Sequence, residues 1–311
     1  MRIFFWISLL VIACISAGML GAFGWPFELF SSLLTQFASA SFLLAGLGKV
    51  FHRQSRMPLL LAVFAVVALI GAREQFFFAD TLVDSRDLRI VWANMGNDRD
   101  ENSFARLFRL ARDERADMVI ASEIPEHLSK EEIFQESNGF PNILGKLAGA
   151  RTNIVMFSRL PMEEIGSVTE KWNSGFLVET NNGTFIIAGV HTPTPLLLQN
   201  FHRRNEIILG VVDVLNESVT DGSAGILVGD FNTVSWSGLL RSIHERGGTR
   251  ISYGWRSSWN SSLPILGLPI DQVFVFGDAR ASVRVGEGIG SDHYPLIVDV
   301  EFNPRAMSLA K

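Results

Sequence analysis

The chain contains 311 residues with a formal net charge of −5, and 48% of them are hydrophobic. This length allows one large domain or two modest ones, and so apolar a composition indicates that part of the chain lies in a membrane. The single cysteine, Cys14, lies in an apolar run. A disulfide framework, a cysteine metal cluster and cysteine-based redox chemistry are therefore excluded.

Charge is divided unevenly along the chain. Residues 1–79 contain five basic and two acidic residues, so the remaining 22 basic and 30 acidic residues give the C-terminal part a charge of −8. An acidic surface repels a long polyanion, so this field does not favour nonspecific binding to duplex DNA.

Three apolar segments stand at the start of the sequence. Residues 3–27 and 29–48 contain no charged residue, although the second range is rich in serine, and residues 57–72 are strongly apolar but short. A signal peptide explains only the first of them, and about 20 apolar residues are enough to cross a bilayer. We expect a transmembrane region of about three helices at 1–79 and a catalytic domain at 80–311.

Basic residues predict the orientation of these helices. They flank the first segment and fill the loop between the second and third: Arg2, Lys49, Arg53 and Arg56. The loop around Glu28 contains none, so the N-terminus and the second loop should be cytoplasmic. With three crossings of a bacterial inner membrane, the chain after about Phe78 lies outside the cytoplasm. Arg73 is the one nearby basic residue that does not fit this orientation. If only two segments span, this orientation reverses.

Beyond Asp80 short apolar runs alternate with amphipathic stretches. Period-3.6 spacing from Phe104 to Ala111 and from Phe201 to Leu215 predicts helices. The predicted strands are residues 88–93, 117–121, 154–157, 176–179, 185–190, 226–228 and 296–298. Strands that alternate with helices in this way indicate an α/β fold.

The central strand, residues 226–228, runs directly into Gly229-Asp230-Phe231-Asn232. An acid and a carboxamide two positions apart on an extended backbone point the same way, so Asp230 and Asn232 could together hold a cation, a water or a phosphate oxygen. The alternative is an ordinary turn after a strand.

Other polar residues follow apolar runs in the same manner: Asn94, Glu123, His191 and Asp271. Near the C-terminus, Asp292 and His293 instead precede the apolar run 296–298. Each taken alone fits a turn residue, a solvated acid or a satisfied histidine. Gly229-Asp230-Phe231-Asn232 with Ser291-Asp292-His293-Tyr294-Pro295, however, resembles the endonuclease/exonuclease/phosphatase superfamily. That superfamily includes deoxyribonuclease I, AP endonucleases, neutral sphingomyelinases and inositol polyphosphate 5-phosphatases. The resemblance covers roughly residues 86–302.

The resemblance implies a four-layered α/β sandwich of two mixed sheets, whose strand ends form one metal-dependent pocket. It implies that Glu123 is the principal ligand of a Mg²⁺ ion, with Asn94 and Asp292 nearby. Mg²⁺ takes oxygen ligands and binds substrate phosphate, and Mn²⁺ is the alternative ion. No cluster of His and Cys at zinc spacing competes in the sequence.

The remaining roles also follow from the resemblance. Hydrolysis of a phosphate ester needs in-line attack by water. Asp230 would orient or deprotonate that water, and Asn232 would hold a phosphate oxygen. His293, held by Asp271, would transfer a proton or donate to phosphate. His191 would contact the phosphate or protonate the leaving group.

Two positions bear on the substrate. Gly96 stands where AP endonucleases of the superfamily carry an acid, which argues against abasic-site repair. His191-Thr192-Pro193 is more similar to the deoxyribonuclease I and sphingomyelinase branches, and the layout resembles membrane-anchored bacterial members. Three tryptophans between the motifs could line a substrate rim or pack in the core: Trp236, Trp255 and Trp259.

The sequence thus predicts a membrane-anchored, Mg²⁺-dependent phosphoesterase, and among these a phosphodiesterase. Nucleic acid, a lipid headgroup and a small phosphorylated metabolite remain open as substrates, and no obligate protein partner is evident. The competing interpretation is an exported binding module that keeps the fold without turnover. Degenerate copies usually lose a ligand or the Asp-His pair, and here both are present.

Overall fold

The computed structural model describes residues 2–52, 54–73, 83, 86–96, 100, 102–145, 154–166, 173–179, 184–219, 223–251, 254 and 256–302. In these ranges the α-helices are α1 (Arg2–Met19), α2 (Phe27–Ser32), α3 (Leu34–Phe51), α4 (Met57–Gly71), α5 (Ser103–Asp113), α6 (Lys130–Glu136), α7 (Leu198–Ser218) and α8 (Gly238–Glu245). The strands are β1 (Leu88–Asn94), β2 (Met118–Ser122), β3 (Asn142–Gly145), β4 (Ile154–Ser158), β5 (Met162–Gly166), β6 (Asn173–Glu179), β7 (Thr184–His191), β8 (Ser223–Asp230), β9 (Thr249–Ile251), β10 (Asp271–Gly277), β11 (Ala279–Val285) and β12 (Leu296–Phe302).

The N-terminal region is helical, but its boundaries differ from the expected ones. The predicted second segment, residues 29–48, is divided at Leu33 into the short helix α2 and the longer helix α3. By length and composition α1 and α3 can cross a membrane, whereas α4 is apolar but has only 15 residues. A signal sequence or a core helix passes the same test, so these properties alone do not establish a membrane anchor.

Helices α1, α3 and α4 pack together in alternating directions. The start of α1 lies beside the end of α3, where the rings of Phe4 and His52 are 4.9 Å apart. The end of α1 lies beside the start of α3, because a Cβ on Gly18 would come within 2.7 Å of Leu34. This second end contacts the rest of the chain: Trp236 Nε1 donates to the Ser31 carbonyl at 2.8 Å.

The remainder is a sandwich of two six-stranded sheets. The first has the order β11-β12-β1-β2-β4-β3 and the second β5-β6-β7-β8-β10-β9. Each contains one parallel pair, β1 with β2 and β7 with β8, among antiparallel pairs. Buried aliphatic residues from both sheets, such as Ile120 and Ile226, fill the space between them.

Helices cover the two outer faces of the sandwich. Phe104, Leu107 and Phe108 of α5 pack on the first sheet, and Ile208 and Val212 of α7 pack on the second. Their 3.6-residue spacing gives each helix one apolar face, which must be buried against a sheet. The expected four-layered α/β sandwich is confirmed.

Strand register brings the polar strand ends together. His191 and Asp230, which end β7 and β8, are paired partners, and Asp271 pairs with Asp230 from the antiparallel neighbour β10. The sequence placed Asp271 after an apolar run as though at a strand end, but it begins β10. Because β10 is antiparallel to β8, its first residue reaches the same edge of the sheet as the last residue of β8.

Candidate active site

Seven of the eight predicted site residues line one pocket of about 540 Å³ at this edge: Asn94, Glu123, His191, Asp230, Asn232, Asp292 and His293. The eighth, Asp271, is completely buried and lies behind His293, to which it is hydrogen-bonded. The first sheet supplies Asn94 from the end of β1 and the second supplies Asp230 from the end of β8. The pocket therefore lies where the two sheets meet.

His293 is held between two carboxylates. Its Nδ1 is 2.8 Å from Asp271 Oδ2, and its Nε2 is 3.8 Å from Asp230 Oδ2. Trp92 Nε1 donates to the other oxygen of Asp271 at 2.7 Å, which fixes that carboxylate from the core side. A carboxylate at Nδ1 fixes the orientation of the ring and stabilises its protonated form. His293 can therefore present an Nε2 proton to a group in the pocket.

A second cluster joins the two sheets directly. His191 Nε2 is 3.1 Å from Glu123 Oε1 and 3.9 Å from Asp230 Oδ2. Asn94 Nδ2 donates to Asp230 Oδ2 at 3.1 Å and lies 3.4 Å from Glu123 Oε1. These contacts connect the predicted metal ligands to the predicted base, so a change at one position alters the other.

The loop after β8 is not extended, which corrects the expected geometry. The backbone of Asn232 has φ of 48°, its N–H donates to Asp230 Oδ1 at 2.9 Å, and its Nδ2 donates to the Thr192 carbonyl at 2.7 Å. The strand ends at Asp230 because this carboxylate caps the following turn. Asp230 and Asn232 still share the pocket, but through a turn rather than through strand alternation.

Glu123 is also held in the left-handed region, with φ of 51°. For a residue other than Gly or Asn this conformation costs on the order of 1–3 kcal/mol and is concentrated at functional sites. Burial raises the pKa of its carboxyl group, but the hydrogen bond and the charge of His191 and the charge of His293 outweigh that effect, so the net pKa is lowered. Glu123 is thus kept as an anion at the pocket wall.

Asp230 and His293 are shifted in the opposite sense. Burial, followed by repulsion from Asp271, raises the pKa of Asp230 to about 6, although His293 and His191 partly oppose this. Burial lowers the pKa of His293, but the charge and hydrogen bond of Asp271 and the charge of Asp230 prevail and raise it to about 9. An acid with raised pKa beside a protonated imidazole is the pairing expected of proton-transfer groups.

The donor set fits an oxygen-liganded divalent cation. Glu123, Asn94 and Asp292 line the open pocket with carboxylate and amide groups, the ligands of Mg²⁺. Gly96 has φ of 63°, and a Cβ there would lie 2.3 Å from Asp292 Oδ1. A side chain at residue 96 would therefore fill the space beside that carboxylate, so the glycine that departs from the AP endonuclease pattern suits this site.

Asp230, Asp271 and His293 also lie close enough together to share a cation. Both Asp271 oxygens, however, already accept hydrogen bonds from Trp92 and His293. A buried cluster of this kind is better suited to fixing and exchanging a proton, and the metal is better placed at the open wall formed by Glu123, Asn94 and Asp292.

Several supporting residues were not predicted from the sequence. Ser291 Oγ donates to the Asn94 carbonyl at 2.7 Å and accepts from the His293 N–H at 3.0 Å, which connects two site residues 199 positions apart. Ser258 Oγ accepts from the Asp271 N–H at 3.0 Å. Ser291 belongs to the Ser-Asp-His motif that was recognised, whereas no local pattern marks Ser258 or the Trp92 donor.

The three tryptophans have different positions. Trp259 lines the pocket, and its Nε1 donates to Asp292 Oδ2 at 3.1 Å. Trp236 packs with apolar residues of α1, α3 and α4, so it is an interface residue rather than a rim residue. Trp255 lies outside the described residues.

The N-terminal helices contribute to the pocket. Leu29, Ser32 and Leu33 line it together with the predicted site residues. One residue earlier, the buried carboxylate of Glu28 contacts the guanidinium of Arg204 at 2.8 Å, and Arg204 Nη1 donates to the Asn232 carbonyl at 3.2 Å. The sequence indicated neither the pairing nor this participation of the apolar region in the site.

This fold and site agree with the comparisons to known proteins. The model of the Endonuclease/Exonuclease/phosphatase family matches residues 91–293, and the chain belongs to that family. No curated protein matches the chain.

Solved structures share the fold at low sequence identity. A family protein from Bacteroides thetaiotaomicron has a TM-score of 0.56 at 14% identity, over 70% of this chain and 98% of that one. The beta toxin of Staphylococcus aureus with bound magnesium ions gives 0.56 at 14%, over 68% and 99%. TDP2 of D. rerio, complexed with a single-strand DNA product, gives 0.54 at 13%, over 70% and 100%.

Family membership, together with the cluster of acidic and histidine side chains, supports a metal-dependent phosphoesterase. It is a hydrolase that acts on phosphate esters.

Proposed function

We propose that the chain is a membrane-anchored, Mg²⁺-dependent phosphodiesterase whose catalytic domain, residues 80–311, lies outside the cytoplasm. The observation that carries this proposal is the convergence of three chemically distinct parts in one pocket. These are an oxygen-donor wall around Glu123, a buried Asp271-His293 pair, and Asp230 between them. A binding module has no need of a histidine held between two carboxylates.

Each side chain has a role that its geometry supports. Asp230 accepts a proton from the attacking water through Oδ2. Its Oδ1 accepts a hydrogen bond from the Asn232 N–H in the turn, and this bond fixes the orientation of the carboxylate. His293 donates from Nε2 to a phosphate oxygen while Asp271 stabilises its charge. His191, whose Nε2 already faces Glu123, contacts the phosphate or protonates the leaving oxygen.

The reaction joins water oxygen to phosphorus and breaks one P–O ester bond, so one product is an alcohol and the other keeps the phosphate. Glu123, Asn94 and Asp292 would hold the Mg²⁺ ion, and when bound it supplies neutralisation of negative charge on the phosphoryl oxygens. The same donors accept Mn²⁺, which prefers the same oxygen ligands.

The pocket favours a diester over a monoester. Its lining combines the polar site residues with apolar side chains, among them Leu29, Leu33 and Leu268. A diester carries a second substituent besides its leaving group, and this substituent can pack against the apolar side chains. A monoester carries only the leaving group.

The helices support a membrane anchor rather than a cleaved signal sequence. Large apolar side chains are exposed along the outer faces of α1, α3 and α4, among them Leu10, Leu43 and Leu59, which is the pattern of lipid-facing surfaces. Helix α1 is not peripheral, because Ile15 is fully buried against the other helices. An 18-residue helix is about 27 Å long, close to the thickness of a bilayer core.

The contacts also support the proposed orientation. The catalytic domain meets the end of the helix bundle formed by Ser31 and Gln36. Lys49 and Arg56 lie at the opposite end, where α3 finishes and α4 begins. Because the basic end faces the cytoplasm, the catalytic domain lies on the other side.

The test is hydrolysis by the full chain in nanodiscs of bis(p-nitrophenyl) phosphate, a diester, and p-nitrophenyl phosphate, a monoester. We expect Mg²⁺-dependent release of p-nitrophenol from the diester, its loss in EDTA and its return with added Mg²⁺ or Mn²⁺. His293→Ala should abolish it, and His244→Ala, on the outer helix α8, should not. Metal binding without hydrolysis of either ester would favour the non-enzymatic binding module.

A further inference from the structure

The apolar surface of the catalytic domain is concentrated at the mouth of the pocket. Eight large hydrophobic side chains are exposed in the part of that domain that the structure describes, and six of them lie in two short segments. The six are Leu196, Leu197, Leu198, Leu263, Ile265 and Leu266. We call these two segments, residues 196–198 and 263–266, the apolar rim. The other two, Phe134 and Val214, lie apart from each other on α6 and α7.

Both segments of the rim border the active site. Leu196 itself lines the pocket, three residues after Pro193 of the motif that begins with His191. The second segment is enclosed by Trp259 and Leu268, which form an isolated β-bridge with each other and both line the pocket. Leu196 and the two residues that flank the second segment therefore place both segments beside the pocket.

The same segments adjoin the N-terminal helices. Gln36 Nε2 of α3 donates to the Gly267 carbonyl at 3.1 Å, directly after the second segment. Leu29 and Leu33 line the pocket together with Leu196, and Leu33 is partly exposed. The rim is thus continuous with the end of the helix bundle, at the level where α1 finishes and α3 begins.

Exposure on this scale is unusual for a surface in contact with water. Ile265 is 83% exposed, and Leu196 and Leu197 are 66% and 64% exposed. Contiguous apolar patches of this kind mark contact with a membrane or a partner. Here the continuity with the apolar outer faces of α1, α3 and α4 selects the membrane, because the same bilayer surface reaches both.

We propose that the apolar rim lies in the outer part of the lipid leaflet and that the substrate is a phosphate ester carrying a long apolar tail, which is drawn from that leaflet. This inference rests on the proposed phosphodiesterase function and names its substrate class. The phosphate reaches Asp230 and His293, and the tail stays between the rim and Leu33. The net acidic catalytic domain repels a nucleic acid, and the apolar rim offers no positive charge to neutralise its phosphates.

The first experiment compares two diesters with the same leaving group, methyl p-nitrophenyl phosphate and hexadecyl p-nitrophenyl phosphate, with the full chain in nanodiscs and Mg²⁺. We expect kcat/KM to be at least tenfold higher for the hexadecyl ester. The double variant Leu197→Ser/Ile265→Ser should lower that ratio at least tenfold. Phe134→Ser, an equally apolar exposed position away from the pocket, should leave the ratio within twofold. Enrichment of the hexadecyl ester in the lipid is the same for all three proteins, so it cannot produce this difference.

The outcomes separate this inference from the proposed function. Hydrolysis of the methyl ester with no preference for the hexadecyl ester, or an unchanged ratio in the rim variant, would overturn the lipid substrate and leave the phosphodiesterase intact. A higher kcat/KM for a single-stranded oligonucleotide would overturn it in favour of nucleic acid. Hydrolysis of neither ester would refute the function and the substrate together.

A second measurement needs neither metal nor turnover. Cys14 is the single cysteine, so a Cys14→Ser background accepts one bimane label at Ile265→Cys or, as the control, at Phe134→Cys. In phosphatidylcholine nanodiscs with doxyl-labelled lipid, we expect at least threefold stronger quenching at position 265. Equal quenching at both positions would show that the rim is outside the leaflet and would overturn the proposal.

Discussion

Replacement of Glu28 tests the connection between the N-terminal helices and the active site. Its carboxylate makes two contacts with the guanidinium of Arg204, Oε1 to Nη1 at 2.8 Å and Oε2 to Nη2 at 3.0 Å. Thr233 Oγ1 donates to it at 2.9 Å. Arg204 is completely buried and Glu28 nearly so. Glu28→Gln keeps the size and one acceptor oxygen but leaves the buried guanidinium without a countercharge.

Removal of one partner of a buried ion pair costs about 3–5 kcal/mol. We expect the lower end of this range for Glu28→Gln, because the amide oxygen still accepts from Arg204 and Thr233. In a domain of this size each kcal/mol lowers Tm by roughly 2–4 °C, so the melting temperature should fall by roughly 6–12 °C. Thermal unfolding of the full chain in nanodiscs measures this directly.

Arg204→Met and the double variant complete the cycle. The double variant buries no charge, and replacement of a whole buried pair by neutral groups is often tolerated. It should therefore recover at least half of the stability lost by the single variants. It should not recover activity, because Arg204 Nη1 no longer holds the Asn232 carbonyl. Loss of a charged hydrogen bond of about 1.5–3 kcal/mol corresponds to at least a tenfold lower kcat if it acts only in the transition state.

The matched control is Glu206→Gln, two residues further along α7. Its partner is Arg203 at 3.5 Å, and both side chains are exposed, so its loss should cost less than about 1 kcal/mol. A loss below 1 kcal/mol for Glu28→Gln as well, or a double variant as unstable as the sum of the singles, would refute the interpretation of Glu28 and Arg204 as a coupled buried pair.

Three further outcomes follow from the site. Glu123→Gln should weaken Mg²⁺ binding in calorimetry and abolish activity without unfolding the protein, and an unchanged affinity would remove Glu123 from the metal site. Asp271→Asn and His293→Ala should each lower activity. The double variant should lose far less activity than the product of the two single losses, since the effects of residues that act as one unit are non-additive. Multiplicative losses would show that Asp271 and His293 do not act together. In EDTA, Tm should fall as pH rises from about 6.5 to about 9. The reason is His293, whose pKa in the folded protein is raised to about 9. Protonated His293 stabilises the fold fully below the ordinary histidine pKa, and this contribution is lost as the ring deprotonates. His293→Gln should flatten this dependence, and an equal slope in both proteins would refute its origin.

The central strands of the sandwich were predictable because of their burial. Residues 88–93, 117–121 and 226–228 were recognised as apolar runs, and they belong to β1, β2 and β8 in the interior of the sheets. Five strands were not predicted. Four of them, β3, β5, β9 and β11, are the sheet edges, and the fifth, β10, is an interior strand whose apolar residues 273–276 were missed although they are buried. Edge strands are short or carry charges on a solvent-facing side, as Arg280 and Arg284 do in β11, so no continuous apolar run marks them.

The site residues were predictable from their order along the chain, but their contacts were not. Every position taken from the family resemblance is in the pocket or, for Asp271, directly behind it. The bend at Asn232 was not expected, because it depends on the Asp230 carboxylate and on Thr192, directly after the neighbouring strand β7. The metal ligands and catalytic roles themselves stay predictions that the variants above test.

The division into residues 1–79 and 80–311 also stays a prediction, and the structure gives a physical reason why the two parts depend on each other. Val234, Trp236 and Ile270 are buried against the N-terminal helices, and each lies one to four positions from a predicted site residue, Asn232 or Asp271. Without those helices these side chains would face water, and Arg204 would be left without the Glu28 carboxylate. Because Arg204 also donates to the Asn232 carbonyl, this loss would disturb the loop after β8 that carries the predicted phosphate contact. The N-terminal helices therefore support the candidate active site through direct contacts, in addition to the membrane anchoring proposed for them.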